Sequence, residues 1–394
     1  MADEQDWIGL LPEDREDAVL IARVWDPQEG GPLVAAVRGG DVVDLSAHAA
    51  TVSELLERED AVAVASSAPG PARWRLPDLL DASLGQDGAR PRLLAPVDLQ
   101  VVKACGVTFA ESLLERVIEE RAGGDPEQAE TIRARVLGAI GEDLGSIRPG
   151  SSEAAELKRA LIAEGMWSQY LEVGIGPDPE VFTKAPVLSS VGLGDSVGVL
   201  SRSSWNNPEP ELVLVANSAG TAVGATLGND VNLRDFEGRS ALLLGAAKDN
   251  NASSALGPFL RLFDGAFSLD ALRDEDILLT VAGADGFTLE GRNSLGRISR
   301  PFEELLAATC GAHHQYPDGF ALFTGTLFAP TQDRGEPGAG FTHHVGDVVT
   351  IRSPHLGALV NPVGRSEELP PWTFGIGSLL RFLQNRRETF QVDA

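Results

Sequence analysis

Residues 206–215 read Asn-Asn-Pro-Glu-Pro-Glu-Leu-Val-Leu-Val and place two acids, Glu209 and Glu211, at the start of an apolar run. The run predicts a buried strand, and residues two apart in a strand point to the same face. Two like charges held side by side next to apolar residues repel each other, and burial disfavours their ionised form. Because a bound cation would remove this repulsion, we interpret the pair as candidate metal ligands.

A third acid, Asp230, ends the next apolar run in the segment LGNDVNLRDFEG. If the two runs form neighbouring strands, three carboxylates meet at one site. A ligand set made only of oxygen atoms suits Mg²⁺, with Mn²⁺ as the alternative, whereas zinc would favour imidazole or thiolate ligands. The sequence therefore predicts a magnesium site formed by Glu209, Glu211 and Asp230.

A candidate base follows in the segment AAKDNNASSALGPF, which contains Lys248. The other lysines of the chain are Lys103, Lys158 and Lys184, and arginine stays protonated, so an amine base has few candidates. A lysine next to a divalent cation can have its pKa lowered and can then accept a proton near neutral pH.

The patterning around this core predicts an α+β, β-rich fold. Residues 1–95 contain short apolar runs separated by Gly-Gly turns and predict a small β-rich N-terminal domain. Residues 96–394 form the predicted catalytic domain. Within it, residues 111–170 contain three stretches with apolar residues spaced at three and four, which predict a helical insertion. Short β runs return after residue 180.

Composition and charge exclude several classes of partner. The formal charge of −26 opposes binding to nucleic acid or anionic membranes, since both depend on clustered Lys and Arg. No apolar run approaches the roughly 18 residues of a membrane helix, and the N-terminal sequence MADEQDWIGLLPEDRED lacks the features of a secretory signal. We therefore expect a cytoplasmic protein that acts on a small molecule.

The order of these motifs resembles the fumarylacetoacetate hydrolase superfamily. The matching segments are E-x-E at Glu209, G-N-D-V at Asp230 with Arg234 beyond it, and K-D at Lys248 followed by G-P. Further matches are VGDVVTIRSPHLGALVNPV near the C-terminus, PEVFTKAP, which adds Lys184, and the T-G-T turn in FALFTGTLF, which adds Thr326. The resemblance implies a mixed β-roll holding one Mg²⁺ through the three acids, in a homodimer or a dimer of dimers.

One segment departs from the hydrolytic and decarboxylating members, which usually carry a His and, three residues later, a Glu in a lid. In CGVTFAESLLER the His position is Ser112, while the Glu is present as Glu115. Without the His there is no obvious base to activate water. The sequence GVTF, ending at Phe109 and followed by Ser112, Glu115 and Arg116, resembles instead the branch of 2-keto-3-deoxy-pentonate dehydratases.

This resemblance implies elimination of water from a 2-oxo sugar acid of the xylonate or arabinonate type, giving 2,5-dioxopentanoate in pentose catabolism. The substrate carboxylate and 2-oxo group would chelate Mg²⁺. Either Lys248 or Lys184 would remove a C3 proton, and Glu115 would protonate the departing C4 hydroxyl, with His314 or His343 as alternative donors. The predicted substrate contacts are Phe109, Ser112, Arg116, Arg234 and Thr326.

Other functions remain open on the sequence. One alternative is an acylpyruvate or β-diketone hydrolase, or an oxaloacetate decarboxylase, of the same superfamily. A second is a catalytically silent binding protein that keeps the fold, and a third is a metal-free dehydratase that forms a lysine Schiff base. The accepted configuration at C4 is also open, because the shape of the pocket decides it.

Overall fold

The computed structural model describes residues 7–129, 131–133, 147–163, 165–328, 330, 332–334 and 340–392. The strands are β1 (Leu20–Asp26), β2 (Gly31–Arg38), β3 (Asp41–Asp44), β4 (Ala72–Arg75), β5 (Arg92–Leu93), β6 (Val101–Gly106), β7 (Glu180–Ala185), β8 (Val197–Val199), β9 (Asn206–Asn207), β10 (Pro210–Ala216), β11 (Ala222–Asp230), β12 (Asn232–Leu233), β13 (Ser254–Leu262), β14 (Asp276–Ala282), β15 (Thr288–Ser294), β16 (Phe320–Phe323), β17 (Val348–Ser353) and β18 (Gly357–Arg365). The helices are α1 (Val52–Leu56), α2 (Ala61–Ser67), α3 (Leu76–Leu84), α4 (Ala110–Arg121), α5 (Ser152–Ala163), α6 (Gln169–Ile175), α7 (Arg234–Glu237), α8 (Leu244–Lys248), α9 (Phe302–Thr309) and α10 (Ile376–Val392).

Two sheets carry most of the described chain. The larger follows the order β4-β3-β2-β1-β13-β11-β10-β16-β6-β7, with β5 added beside β1, and the smaller follows the order β15-β14-β17-β18-β8. Contacts of β10 with β14, of β11 with β17 and of β13 with β18 pack the two sheets together. The predicted α+β, β-rich fold class is confirmed.

The core between the sheets explains why the central strands are so apolar. β10, β11 and β13 lie inside the larger sheet, and Leu212, Leu214, Leu227 and Ala255 on these strands are inaccessible to solvent. Strands buried on both faces read as continuous apolar runs rather than as alternating patterns. The run after Glu211 therefore belongs to a central strand.

The N-terminal segment shares the larger sheet with the rest of the chain. β1 pairs antiparallel with β13, with Ile21 opposite Leu260. The segment LVLVAN, which follows the acids, thus belongs to the same hydrogen-bonded sheet as the first strands of the chain. The division into domains of residues 1–95 and 96–394 stays a prediction.

The helical segment after β6 forms a separate apolar cluster. Leu113 and Val117 of α4 pack with Tyr170 and Leu171 of α6 and with Trp205. The second stretch predicted to be helical lies partly outside the described residues, because residues 134–146 are not described, while residues 126–129 and 131–133 are helical. The cluster holds α4 beside the ends of the central strands.

The Ser, Gly and Pro-rich stretch before residue 80 has the composition of a linker, yet part of it is ordered structure. Ala72–Arg75 form β4 at the edge of the larger sheet, and Trp74 is buried against β3. Pro77 lies in the first turn of α3, where its missing N–H costs nothing. No helix in the described part of the chain has the length and apolar character needed to cross a membrane.

Replacing Leu214 by alanine should destabilise the protein by about 2–5 kcal/mol, because it leaves a cavity between the sheets. The matched control is Leu242→Ala, at a side chain that is 95% exposed, whereas Leu214 is 0% exposed. The control should change the free energy of unfolding by less than about 0.5 kcal/mol. Equal urea midpoints for the two variants would contradict the described core.

Candidate metal centre and active site

The pairing of two central strands brings the three predicted ligands together. Glu209 directly precedes β10, Glu211 lies within it, and Asp230 ends the neighbouring β11. Glu211 stands opposite Gly228, and the Asp230 N–H donates to the Glu209 carbonyl oxygen at 3.0 Å. The three side chains are buried, and one oxygen from each lies within 4.8 Å of the others.

Electrostatics distinguish the three acids. Burial raises the pKa of the Glu211 carboxyl well above its ordinary value, and the neighbouring Asp230 and Glu209 raise it further. Glu211 accepts a hydrogen bond from the Gly325 N–H at 2.6 Å but forms no ion pair with any described residue. Burial also raises the pKa of Asp230, but Lys184 and Lys248 outweigh it and hold this pKa below its usual range. The site therefore has a surplus of negative charge.

The two lysines have different surroundings. Lys184 Nζ is 0% exposed, lies 2.7 Å from Asp230 Oδ1 and donates to the carbonyl oxygens of Val231, at 3.1 Å, and Lys248. Burial lowers the pKa of Lys184, although Asp230 opposes this effect. Its three donors are engaged within the protein, and it does not line the cavity.

Lys248, at the end of α8, faces the cavity. Its Nζ donates to Glu209 and, at 3.1 Å, to Asp230 Oδ2. Burial lowers the pKa of Lys248, but Asp230 and Glu209 outweigh this effect and raise the pKa overall. Of the two predicted bases, Lys248 is the one with access to a bound molecule.

An arginine from α4 connects the helical segment to the acids. Arg116 Nη2 donates to Glu209 Oε1 at 2.6 Å, and Nη1 donates to Glu119 Oε2 at 2.7 Å. Arg234, in α7 just beyond Asp230, binds the other oxygen of Glu119 through Nε at 2.6 Å. Glu119 thus binds both arginines, and its pair with Arg234 joins α4 to α7.

A cavity lies between the acids and α4. The predicted site residues that line it are Glu209, Glu211, Asp230, Lys248, Ser112, Glu115, Arg116, Arg234 and Thr326. The Ser112 hydroxyl donates to the Phe109 carbonyl oxygen at 3.0 Å. Glu115 is paired with Arg133 and, at 3.3 Å, with Arg234.

Some residues predicted for the site are not part of its lining. Phe109 is 0% exposed and belongs to the core, where its backbone bridges to Ile298. His343 is buried beside Asp347, with Nδ1 at 3.3 Å from Oδ2, and His314 packs edge-on against Tyr316. Phe109 and both histidines are absent from the cavity wall, as is Lys184.

Three further acids lie next to the predicted site residues, and of these the sequence indicates only Glu237, which stands in the pocket wall where the resembling family often has Gln. Glu119 and Glu237 line the cavity, and burial raises the pKa of Glu237 to about 7. Glu180, at the start of β7, is mostly buried, and burial raises its pKa. Its carboxylate occupies the space left by Gly106, where a Cβ atom would collide with it. The available signal was its position two residues before Phe182 in the segment that contains Lys184.

The donor set fits a hard divalent cation. Three buried carboxylates surround one point, and Glu211 has no cationic partner among the described side chains. Mg²⁺ prefers oxygen ligands and usually keeps positions for water or substrate, which the adjoining cavity supplies. Glu209, Glu211 and Asp230 are therefore the residues that could hold it.

Substituting Glu211 by Gln should weaken Mn²⁺ binding by about 100-fold or more, because a charged ligand at the centre is lost. Binding can be measured by electron paramagnetic resonance without any substrate. Glu290→Gln, at an exposed position of β15, is the matched control and should bind as the unmodified protein does. Undiminished binding by Glu211→Gln would exclude the three-acid site.

Comparison with solved structures identifies the fold. The apo form of a 2-keto-3-deoxy-D-arabinonate dehydratase aligns with a TM-score of 0.63 at 21% identity, over 88% of this chain and 99% of that one. A dehydratase of the same name complexed with magnesium and 2,5-dioxopentanoate aligns with a TM-score of 0.62, at the same identity and coverage. An uncharacterised protein from Mycobacterium abscessus aligns at 0.51 with 18% identity, over 88% of this chain and 99% of that one. The chain therefore has the fumarylacetoacetate hydrolase-type fold.

Two curated relatives give a more specific similarity. The chain is 31% identical over 191 residues to the 2-dehydro-3-deoxy-D-arabinonate dehydratase of Saccharolobus solfataricus, covering 48% of this chain and 60% of that protein. It is 30% identical over 198 residues to a probable 2-keto-3-deoxyxylonate dehydratase of Haloferax volcanii, covering 50% of this chain and 64% of the relative. The chain thus matches less than two thirds of either relative. No family model matches it. The predicted resemblance to this dehydratase branch is confirmed.

Proposed function

We propose that this protein is a magnesium-dependent dehydratase that removes water from a 2-keto-3-deoxy-pentonate of the xylonate or arabinonate type and releases 2,5-dioxopentanoate, a step of pentose catabolism. One observation carries the proposal: a lysine amine and three buried acids face the same cavity, and no described histidine lines it. Elimination requires a base and an acid but no activated water. The named activities of the similar proteins support the same reaction.

Mg²⁺ would be held by Glu209, Glu211 and Asp230, and when bound it would supply positive charge that stabilises an ionised 2-oxo oxygen and lowers the pKa of a nearby amine. Lys248 is the base in this proposal, because its amine reaches the cavity and could take a proton from C3. Lys184 is a positioning residue. Its contacts fix Asp230 and the backbone of Lys248.

Glu180 is better suited than Glu115 to protonate the departing C4 hydroxyl. The carboxylate of Glu115 is already engaged by Arg133 and Arg234. Glu180 has a raised pKa because it is buried, and it therefore retains a proton more readily. Its carboxyl lies against Gly106, which lines the cavity.

The atoms balance without an oxidant. Lys248 takes a proton from C3, the C4–O bond breaks, and the hydroxide leaves as water with the proton of Glu180. The resulting double bond between C3 and C4 then moves toward C5, as C5 loses a proton and C3 regains one. The enol formed at C5 becomes an aldehyde when C4 gains a proton and the enol oxygen loses one. The product, 2,5-dioxopentanoate, is thus reached through proton transfers alone.

In this proposal, the assembly and the cellular location of the protein are those expected from its sequence. A homodimer or a dimer of dimers, and a cytoplasmic setting, are implied by the family resemblance and by the composition of the chain. Light scattering of the purified protein would distinguish a monomer from both assemblies.

The purified protein should form 2,5-dioxopentanoate from 2-keto-3-deoxy-xylonate or 2-keto-3-deoxy-arabinonate when Mg²⁺ is present. A dehydrogenase that oxidises the semialdehyde can report the product. Removal of the metal with EDTA, and the substitution Glu211→Gln, should each abolish turnover.

Other outcomes would favour the alternatives. Cleavage of an acylpyruvate or decarboxylation of oxaloacetate, with neither sugar acid turned over, would make the protein a hydrolase or decarboxylase of the same fold. Turnover that survives EDTA, together with a substrate adduct trapped by borohydride, would favour the lysine Schiff-base mechanism. A panel without any turnover would favour a binding protein.

Glu180→Gln should lower kcat by about 10²- to 10⁴-fold, because the acid that protonates the leaving hydroxyl is lost. Glu115→Gln provides the comparison and should retain more activity, since Glu115 is engaged by arginines. Equal Mn²⁺ affinity in both variants would show that the metal site is intact. A larger loss of kcat in Glu115→Gln would restore Glu115 as the acid.

A further inference from the structure

Glu237, in α7, carries a carboxylate oxygen with no hydrogen-bond partner among the described residues. The residue is 4% exposed and lines the cavity. Arg116 Nη1 lies 2.9 Å from Oε2 of Glu237, but the hydrogen bond from this nitrogen goes to Glu119 Oε2 at 2.7 Å. A buried carboxylate oxygen without a donor is costly, so a bound molecule that supplies one would be stabilised.

The backbone around Glu237 is anchored, so the carboxylate has a fixed position. The Tyr170 hydroxyl donates to the Glu237 carbonyl oxygen at 3.1 Å, which ties α7 to α6. The Gly238 N–H donates to the Arg234 carbonyl oxygen at 2.8 Å and closes the short helix. The aromatic ring of Phe236 lies beneath Arg202 and Arg239. Anchored side chains provide more specific contacts than mobile ones.

Arg116 sets the separation between Glu237 and the candidate metal ligands. One end of its guanidinium group donates to Glu209 Oε1 at 2.6 Å, and the other end lies 2.9 Å from Glu237. A single guanidinium group thus separates the two carboxylates. A short 2-oxo acid whose carboxylate and oxo groups bind a metal ion held by the three acids could therefore extend its far end to Glu237.

We propose that Glu237 selects the far end of the substrate: it accepts a hydrogen bond from a terminal hydroxyl group and rejects 2-oxo acids that carry a second carboxylate there. The inference rests on the proposed function only in taking a 2-oxo acid as the ligand. A hydroxyl group supplies the hydrogen-bond donor that Oε2 of Glu237 lacks. A terminal carboxylate supplies none and is repelled by the like charge of Glu237.

The surrounding charges favour this selection. Arg116 is already shared by Glu119, Glu209 and Glu237, so its positive charge is not free to attract a second carboxylate of the ligand. Arg234 is likewise engaged by Glu119 and Glu115. An amide at position 237 would keep the shape and the hydrogen bonding but remove the repulsion.

Three ligands of equal chain length test the proposal by calorimetry with Mg²⁺ present: 5-hydroxy-2-oxopentanoate, 2-oxopentanoate and 2-oxoglutarate. At pH 8, above the pKa of Glu237 near 7, the carboxylate is mostly ionised. The unmodified protein should bind 5-hydroxy-2-oxopentanoate about tenfold more tightly than 2-oxopentanoate. It should bind 2-oxoglutarate about tenfold more weakly than 2-oxopentanoate.

Two variants separate the two effects. Glu237→Gln should keep the preference for the hydroxyl group. Its dissociation constant for 2-oxoglutarate relative to that for 2-oxopentanoate should fall about tenfold. Glu237→Ala should lose both preferences, because neither the charge nor the acceptor remains. The matched control is Asp235→Asn on the same helix, whose carboxylate binds Ser203 and Ser204 outside the cavity lining. Its ratios of dissociation constants should equal those of the unmodified protein.

Either of two results would overturn the proposal. One is equal binding of 2-oxoglutarate and 5-hydroxy-2-oxopentanoate by the unmodified protein, which requires no variant. The other is an unchanged ratio of their dissociation constants in Glu237→Gln. Because 5-hydroxy-2-oxopentanoate lacks a C4 hydroxyl group, binding is measured without dehydration. Sugar-acid turnover with unchanged ratios would reject the role of Glu237 alone, whereas altered ratios without turnover would reject the proposed reaction alone.

Discussion

The mutual repulsion of Glu209, Glu211 and Asp230 is the constraint on which the rest of the site depends. Their carboxylates converge because β10 and β11 are paired inside a buried sheet, and burial alone would drive them toward the neutral form. Lys184 and Lys248 compensate part of this charge, and both contact Asp230. Glu211 is left without a cation among the described residues. The apolar sheet supplies rigidity, and the surplus charge would give the site affinity for a divalent ion.

A second layer of charge extends this arrangement from the sheet into the helical segment. Arg116 of α4 forms an ion pair with Glu209. Glu119, one turn further along the same helix, forms an ion pair with Arg234, which follows β11 in the sequence. Two ion pairs hold the helix over the cavity, and the helix contributes the positive charge to one of them and the negative charge to the other. Burial makes each pair sensitive to loss of its partner, because an unpaired charge would remain. The position of α4, and with it the shape of the cavity, therefore depends on the same charges that surround the metal site.

The sequence predicts those parts of the site that depend on the geometry of single strands and of neighbouring strands. Glu209 and Glu211 lie on one strand, and Asp230 closes the neighbouring strand, so their spacing already indicates a shared site. Glu119 could not be identified in the same way, because it meets Arg234 only through the packing of α4 against α7. Phe109 illustrates the opposite error: it stands beside the lid residues in sequence, but it starts a helix and its ring enters the core. Adjacency in sequence does not determine the direction of a side chain.

The charge pattern around the cavity helps to interpret Ser112, which stands where hydrolytic and decarboxylating members of the superfamily usually carry a histidine. A serine hydroxyl that donates to the backbone at the start of α4 has little capacity to take a proton from water. Hydrolysis would need such a base on the lid side, whereas elimination needs a base near C3 and an acid near C4. Lys248 supplies an amine beside the strand acids, and Glu180, a carboxyl group whose pKa is raised by burial, lies against Gly106 of the cavity wall. The groups around the cavity are therefore those of proton removal and proton donation, which the proposed elimination requires, rather than those of hydrolysis.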